Sequence, residues 1–335
     1  MDNNTLLKRL VSNQNILWFA VLISVAIWLI DGFILAGNGY NGISSDVWFD
    51  SLVGKQPLLV SIPISFALYG LSLIMLLSLI NTGTFLPFRA NLTGALFSLF
   101  AAGIFFLHPL QVTSILLPLF IAALNNLFST FRKKDSKNEI LQLSVYIGIG
   151  SLFFPWFALL LPVFYIGAAF LSSFSIRLLL AGIISFALPF WIIFGIGLIL
   201  DNTNVWTSVI NQFHVPKMID YGEITVFQWG ALAFIGIPGL SGAVRYLLLG
   251  KEKQSSRASL NVLLFVDLTL TAAVFLIPSQ MNVLIGLKLV SCSIFNAYLW
   301  NTSVLRFSSY LFWTETAGFI CLILLNLLST KNTMF

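Results

Sequence analysis

Asp46 and Asp50 are the two carboxylates of this chain best spaced for chemistry. They stand four residues apart in Ser44-Ser45-Asp46-Val47-Trp48-Phe49-Asp50-Ser51-Leu52, with Gly54 beyond. A Ser cap, a few helix-competent residues and a Gly stop predict one short helix, on which a four-residue spacing puts both acids on one face. Two such carboxylates can bind a divalent cation or act as a general base. Acids in a helix's first turns also favour its dipole and can simply face water. A second polar group holds Asp201, His214, Lys217, Asp220, Tyr221 and Glu223. A His beside acids can ligate metal or shuttle a proton, and a solvated loop has the same composition.

Four further ionisable groups lie within or beside apolar runs. Asp31 is near the end of the first run, where it would join the acidic pair or snorkel to lipid headgroups. Asp267, Lys288 and Glu315 fall inside the last three runs. A charge near mid-bilayer costs roughly 2.5–3.5 kcal/mol on insertion scales, so such groups face a bundle interior or a wet cavity. They suit a proton or solute path, a structural ion pair, or snorkelling. Counting from the run ends puts Asp267 and Glu315 at one depth and Lys288 nearer the other side. His108, before Pro109 at a corner between two runs, reads as an interfacial structural residue.

The elements that must carry these groups are apolar almost throughout. Of 335 residues, 58% are apolar and 9% charged, against roughly 25% charged in soluble domains. Apolar runs cover 15–37, 57–80, 92–107, 110–128, 140–154, 156–173, 178–200, 226–249, 260–277, 281–300 and 308–328. In lipid, backbone groups must be satisfied within helices or closed barrels, and these runs are too long and continuous for barrel strands. The prediction is an all-α, polytopic transmembrane bundle, one integral membrane domain over 1–335, with about eleven spans (9–11). The runs at 92–107 and 140–154 are short for a full crossing, and each turns at a Pro corner into its successor, so both also fit re-entrant hairpins. The first run exceeds a ~7–15-residue signal core and reads as an uncleaved span.

Cations set the orientation. With the N-terminus cytoplasmic, the inner side receives Lys8, Arg9, Arg89, Arg132, Lys133, Lys134, Lys137, Arg177, Arg245, Lys251, Lys253, Arg257 and Arg306. The outer side receives only Lys55, Lys217 and Lys331. Residues 1–14 and the basic loops 129–139 and 250–259 are therefore inner, and the long segments 38–56 and 201–225 outer. The formal charge of +5 is accounted for by these loops beside anionic headgroups, without nucleic acid. Cys292 and Cys321 sit in apolar runs without CxxC or Cys/His spacing, so neither a disulfide frame nor a zinc site is expected. No phosphate-cradling glycine loop, zinc-protease helix or catalytic triad spacing occurs. Gly148-Ile149-Gly150 reads as close helix packing. No cofactor follows from the sequence, and the acidic pair is compatible with a divalent cation.

From 92 to 195 the chain has a further pattern. A hairpin turns at Phe106-Leu107-His108-Pro109, and the basic Arg132-Lys133-Lys134 follows. Then come Gly148-Ile149-Gly150-Ser151-Leu152-Phe153-Phe154-Pro155, Ser175-Ile176-Arg177, and Gly182 leading to Leu188-Pro189-Phe190. This stretch resembles an uncharacterised family of polytopic inner-membrane proteins of Bacteroidota. More loosely, it is similar to the membrane core of C-type glycosyltransferases, which use polyprenyl-phosphate sugars. The resemblance implies a bacterial inner (cytoplasmic) membrane location and a lipid-phosphate sugar donor. It also implies catalytic acids in the first outer loop, where Asp46 and Asp50 stand, with Asp46 preferred. Asp31, His214, Asp220 and Glu223 would then line the substrate. The chain departs from those enzymes in having no adjacent acidic pair directly after the first run, and Phe153-Phe154-Pro155 where many carry a basic residue. The expectation is a periplasmic-face transferase. A non-catalytic scaffold or assembly partner of an envelope complex is the alternative, and a transporter using Asp267, Lys288 and Glu315 the third reading.

Overall fold

The computed structural model describes residues 15–37, 58–82, 90–131, 133, 136–171, 175–199, 221–222, 224–249, 252–302 and 305–332. Among them the chain forms eleven α-helices and three short 3-10 turns, with no strand. In chain order the helices are α1 (Ile16–Gly37), α2 (Leu58–Thr82), α3 (Ala90–Gly103), α4 (Val112–Ser129) and α5 (Lys137–Phe153). They continue as α6 (Leu160–Leu171), α7 (Ile176–Ile199), α8 (Val226–Leu249), α9 (Gln254–Leu276), α10 (Met281–Thr302) and α11 (Leu305–Asn332). Seven stretches, in α1, α2, α4, α7, α8, α9 and Pro278–Thr302, are long and apolar enough to cross a membrane. The chain is a polytopic helical membrane protein.

Burial sorts the helices. From Met281 to Leu299 every residue of α10 but Asn282 is buried, whereas α7 buries only Leu178, Gly182, Pro189 and Gly197. α10 is thus the axis of the bundle, packed by α8, α3, α9 and α4. A helix enclosed all round by other helices, rather than by lipid, can carry polar side chains, and α10 holds Lys288, Ser291, Ser293 and Asn296, all buried. Outlying α7 rests mainly on α5, and its Ile184, Trp191 and Ile199 are exposed, as a lipid-facing surface requires. Gly148 permits that contact, since a Cβ there would lie 2.5 Å from the Phe186 carbonyl oxygen. The small-residue reading of this glycine holds.

Both Pro corners are built as tight turns. Phe105–Leu107 forms one 3-10 turn, and Pro155–Leu159 another with its Pro at the start, where no donor is lost. Leu110 N–H at the first corner donates to Ser61 Oγ at 2.7 Å, and Gln111 Nε2 to the Phe106 carbonyl at 2.8 Å. Side chains thereby satisfy backbone groups that lipid could not.

Polar contacts also mark two ends of the bundle. Asp31 meets His108, Gln228 meets Asn282, Tyr221 meets the Phe275 carbonyl, and Asn326 meets that of Gly103. These join C-terminal halves of α1, α3, α9 and α11 to N-terminal parts of α4, α8 and α10. At the opposite end Lys133 pairs with Glu139, Arg245 reaches Thr302, and Tyr298 donates to Glu252. From α8 to α11 successive helices therefore alternate in direction, and the basic loops share one end.

Candidate functional site

Asp31 and His108 form a buried hydrogen-bonded pair near the end away from the basic loops. His108 Nδ1 lies 2.6 Å from Asp31 Oδ2, and both side chains are almost wholly enclosed. A carboxylate only accepts, so Nδ1–H donates and the lone pair of neutral imidazole resides on Nε2. Trp28, one turn before Asp31 on α1, stacks on the imidazole with centroids 4.1 Å apart, and Phe105 stands 5.2 Å away. Ala20, Ser24, Trp28 and Asp31 are the buried stripe of α1, at the spacing of one helix face. His108 Nε2 is buried without a hydrogen-bond partner among the described residues. Asp31 thus neither snorkels to headgroups, as one expectation had it, nor stands at a wet surface. An imidazole within hydrogen-bond reach removes the need.

A second pair lies between α9 and α10. Lys288 Nζ donates to Asp267 Oδ1 at 2.8 Å and to Thr271 Oγ1 at 2.7 Å. Ser291 Oγ donates to the same carboxylate oxygen at 2.6 Å. The Thr271 hydroxyl in turn donates to the Asp267 carbonyl at 2.7 Å. Each charged group here has an opposite charge and a hydroxyl, which is how an ion pair is held in a low-dielectric interior. Counting from apolar run ends misplaced these groups. α9 starts at Gln254, not 260, so Asp267 lies past the helix midpoint, level with Lys288.

Glu315 stands apart from that pair. Trp300 Nε1 donates to its two carboxylate oxygens at 3.1 and 3.3 Å. Replacing Trp300 with Phe keeps the ring and removes the donor. A loss of about 1–3 kcal/mol is expected in urea unfolding of the detergent-solubilised protein, and unchanged unfolding would remove the bond's importance.

Asp46, Asp50, His214, Asp220 and Glu223 lie outside the described residues. The structure therefore brings together Asp267 with Lys288, leaves Glu315 separate, and gives Asp31 a partner that spacing alone did not assign. The available signal was position: Asp31 falls late in the first apolar run, and His108 at the corner between the third and fourth. Among the described residues no three His, Cys, Asp or Glu side chains are grouped to hold a metal. No family model, no curated protein and no solved structure matches the chain.

Proposed function

We propose that the protein is a membrane-embedded transferase of the bacterial inner membrane. In this reading it works at the end opposite the basic loops, with Asp31 and His108 as its orienting and proton-accepting pair. The observation carrying this reading is a carboxylate-oriented imidazole whose second nitrogen has no partner among the described residues. That arrangement suits a general base. Nε2 takes the proton of an acceptor hydroxyl as its oxygen attacks the sugar's anomeric carbon. The bond from that carbon to the phosphate oxygen breaks, and polyprenyl phosphate leaves with the electron pair. Asp46 and Asp50 follow α1 in the chain, so the resemblance to lipid-phosphate sugar transferases offers them as the competing base.

Single substitutions separate the two. His108→Gln and Asp31→Asn are expected to deplete the lipid-linked sugar product about 10²–10⁴-fold with normal amounts of folded protein, while Asp46→Asn and Asp50→Asn leave it near normal. The reverse pattern moves the base to the acidic pair. If all four variants match the parent in product and in protein level, the transferase reading falls. A non-catalytic assembly partner is then the surviving account, and a separate observation favours it. Asp267, Lys288 and Glu315 all hold protein partners, as groups that clamp helices do. That same engagement makes transport through the three residues the weaker fit.

A further inference from the structure

Around His108 the polar groups close into a ring that crosses three helices. His108 stacks on Trp28 of α1, and Trp28 lies 5.6 Å from the ring of Tyr69 on α2. One helical turn before Tyr69, Ser65 Oγ is hydrogen-bonded to Ser114 Oγ of α4 at 2.9 Å. Ser114 N–H donates to the carbonyl of Gln111, three residues past His108. Ser61, a turn before Ser65, holds the Leu110 N–H. Ser61, Ser65, Tyr69 and Ser72 are thus the buried polar stripe of α2, following the period of one helix face.

Two members of this ring are unsatisfied. Tyr69 Oη and His108 Nε2 are both buried without a hydrogen-bond partner among the described residues. Leaving a hydroxyl and an imidazole nitrogen unpaired in a bundle costs about 1–3 kcal/mol each. An internal water relieves that cost where it finds two to four polar partners in a polar setting. Tyr69 offers a donor, Nε2 an acceptor, and the Ser65 and Ser114 hydroxyls retain lone pairs.

We infer that the Trp28–Tyr69–His108 ring binds internal water, which links His108 Nε2 to the Tyr69 hydroxyl and onward to the Ser65–Ser114 pair. The water's role as the route by which His108 passes on its proton rests on the proposed function. Its binding does not.

The test is hydroxyl-radical footprinting of the full chain in lipid nanodiscs, with the radicals generated from water in place by X-rays. Trp28, Tyr69 and His108 are expected to oxidise about tenfold faster than the equally buried Phe120 and Phe164, because bound water is the radical source. Tyr69→Phe is expected to lower the oxidation of Trp28 and His108 severalfold. Labelling at the level of Phe120 and Phe164 would overturn the inference even if His108→Gln abolished product. Fast labelling with a silent His108→Gln would keep the water and remove its catalytic role.

Discussion

Lys288→Met is expected to destabilise the protein by about 3–5 kcal/mol, since it leaves a buried carboxylate without its cation. The substitution roughly preserves side-chain volume, so the loss measures charge rather than packing. Asp267 would keep the Ser291 hydroxyl and the weaker Cys292 thiol on its Oδ1. The double variant Asp267→Leu with Lys288→Met removes both charges and is expected to recover most of the loss, because a buried pair and an apolar pair of similar volume are often close in energy. The measurement is urea unfolding in micelles across the four members of the cycle. Parent-like unfolding of Lys288→Met alone would mean that the pair contributes nothing to the bundle. Recovery in the double variant would show that apolar packing can replace the pair in holding α9 to α10.

The second large effect is expected at the contact between α8 and α10. A Cβ on Gly242 would run into the backbone carbonyl oxygen of Phe295, and one on Gly239 would lie 2.7 Å from Cys292 Sγ. Backbone cannot swing aside as a side-chain tip can. Gly242→Val therefore forces α8 off the central helix, at a cost of about 1–3 kcal/mol or more. Gly236→Ala on the same helix is the control, because a Cβ there meets nothing within 4 Å. It should be neutral or gain up to about 1 kcal/mol from helix propensity. Equal thermal stabilities for the two variants would show that the helices do not need this close approach.

Much of the architecture is legible in the sequence because lipid leaves the chain few choices. The apolar run 226–249 has the same bounds as α8, and both Pro corners fall where the runs break. Legibility ends where helices continue beyond their greasy part. Gln254-Ser255-Ser256-Arg257-Ala258-Ser259 is polar but helix-competent, and α9 includes it, which shifts the apparent depth of Asp267. Partnerships were also hidden. Hydropathy marks Asp31, Asp267 and Lys288 as out of place but carries no information on which groups meet. Asp267 and Lys288 are 21 residues apart, on neighbouring spans, and proximity could have been guessed. The Gly239 and Gly242 spacing was present as well, but small residues are common in membrane helices and only the Phe295 backbone gives these two a reason.

The pairing of Asp31 has a consequence for how the protein is made. His108 follows it by 77 residues, so α1 must leave the ribosome and meet the bilayer before its base exists. At roughly 5–20 residues per second, that interval lasts on the order of 4–15 s. During it the nascent first helix packs on α2 and α3 with Asp31 still lacking its partner. A chain ending before residue 108 therefore carries Asp31 without the imidazole that pairs with it.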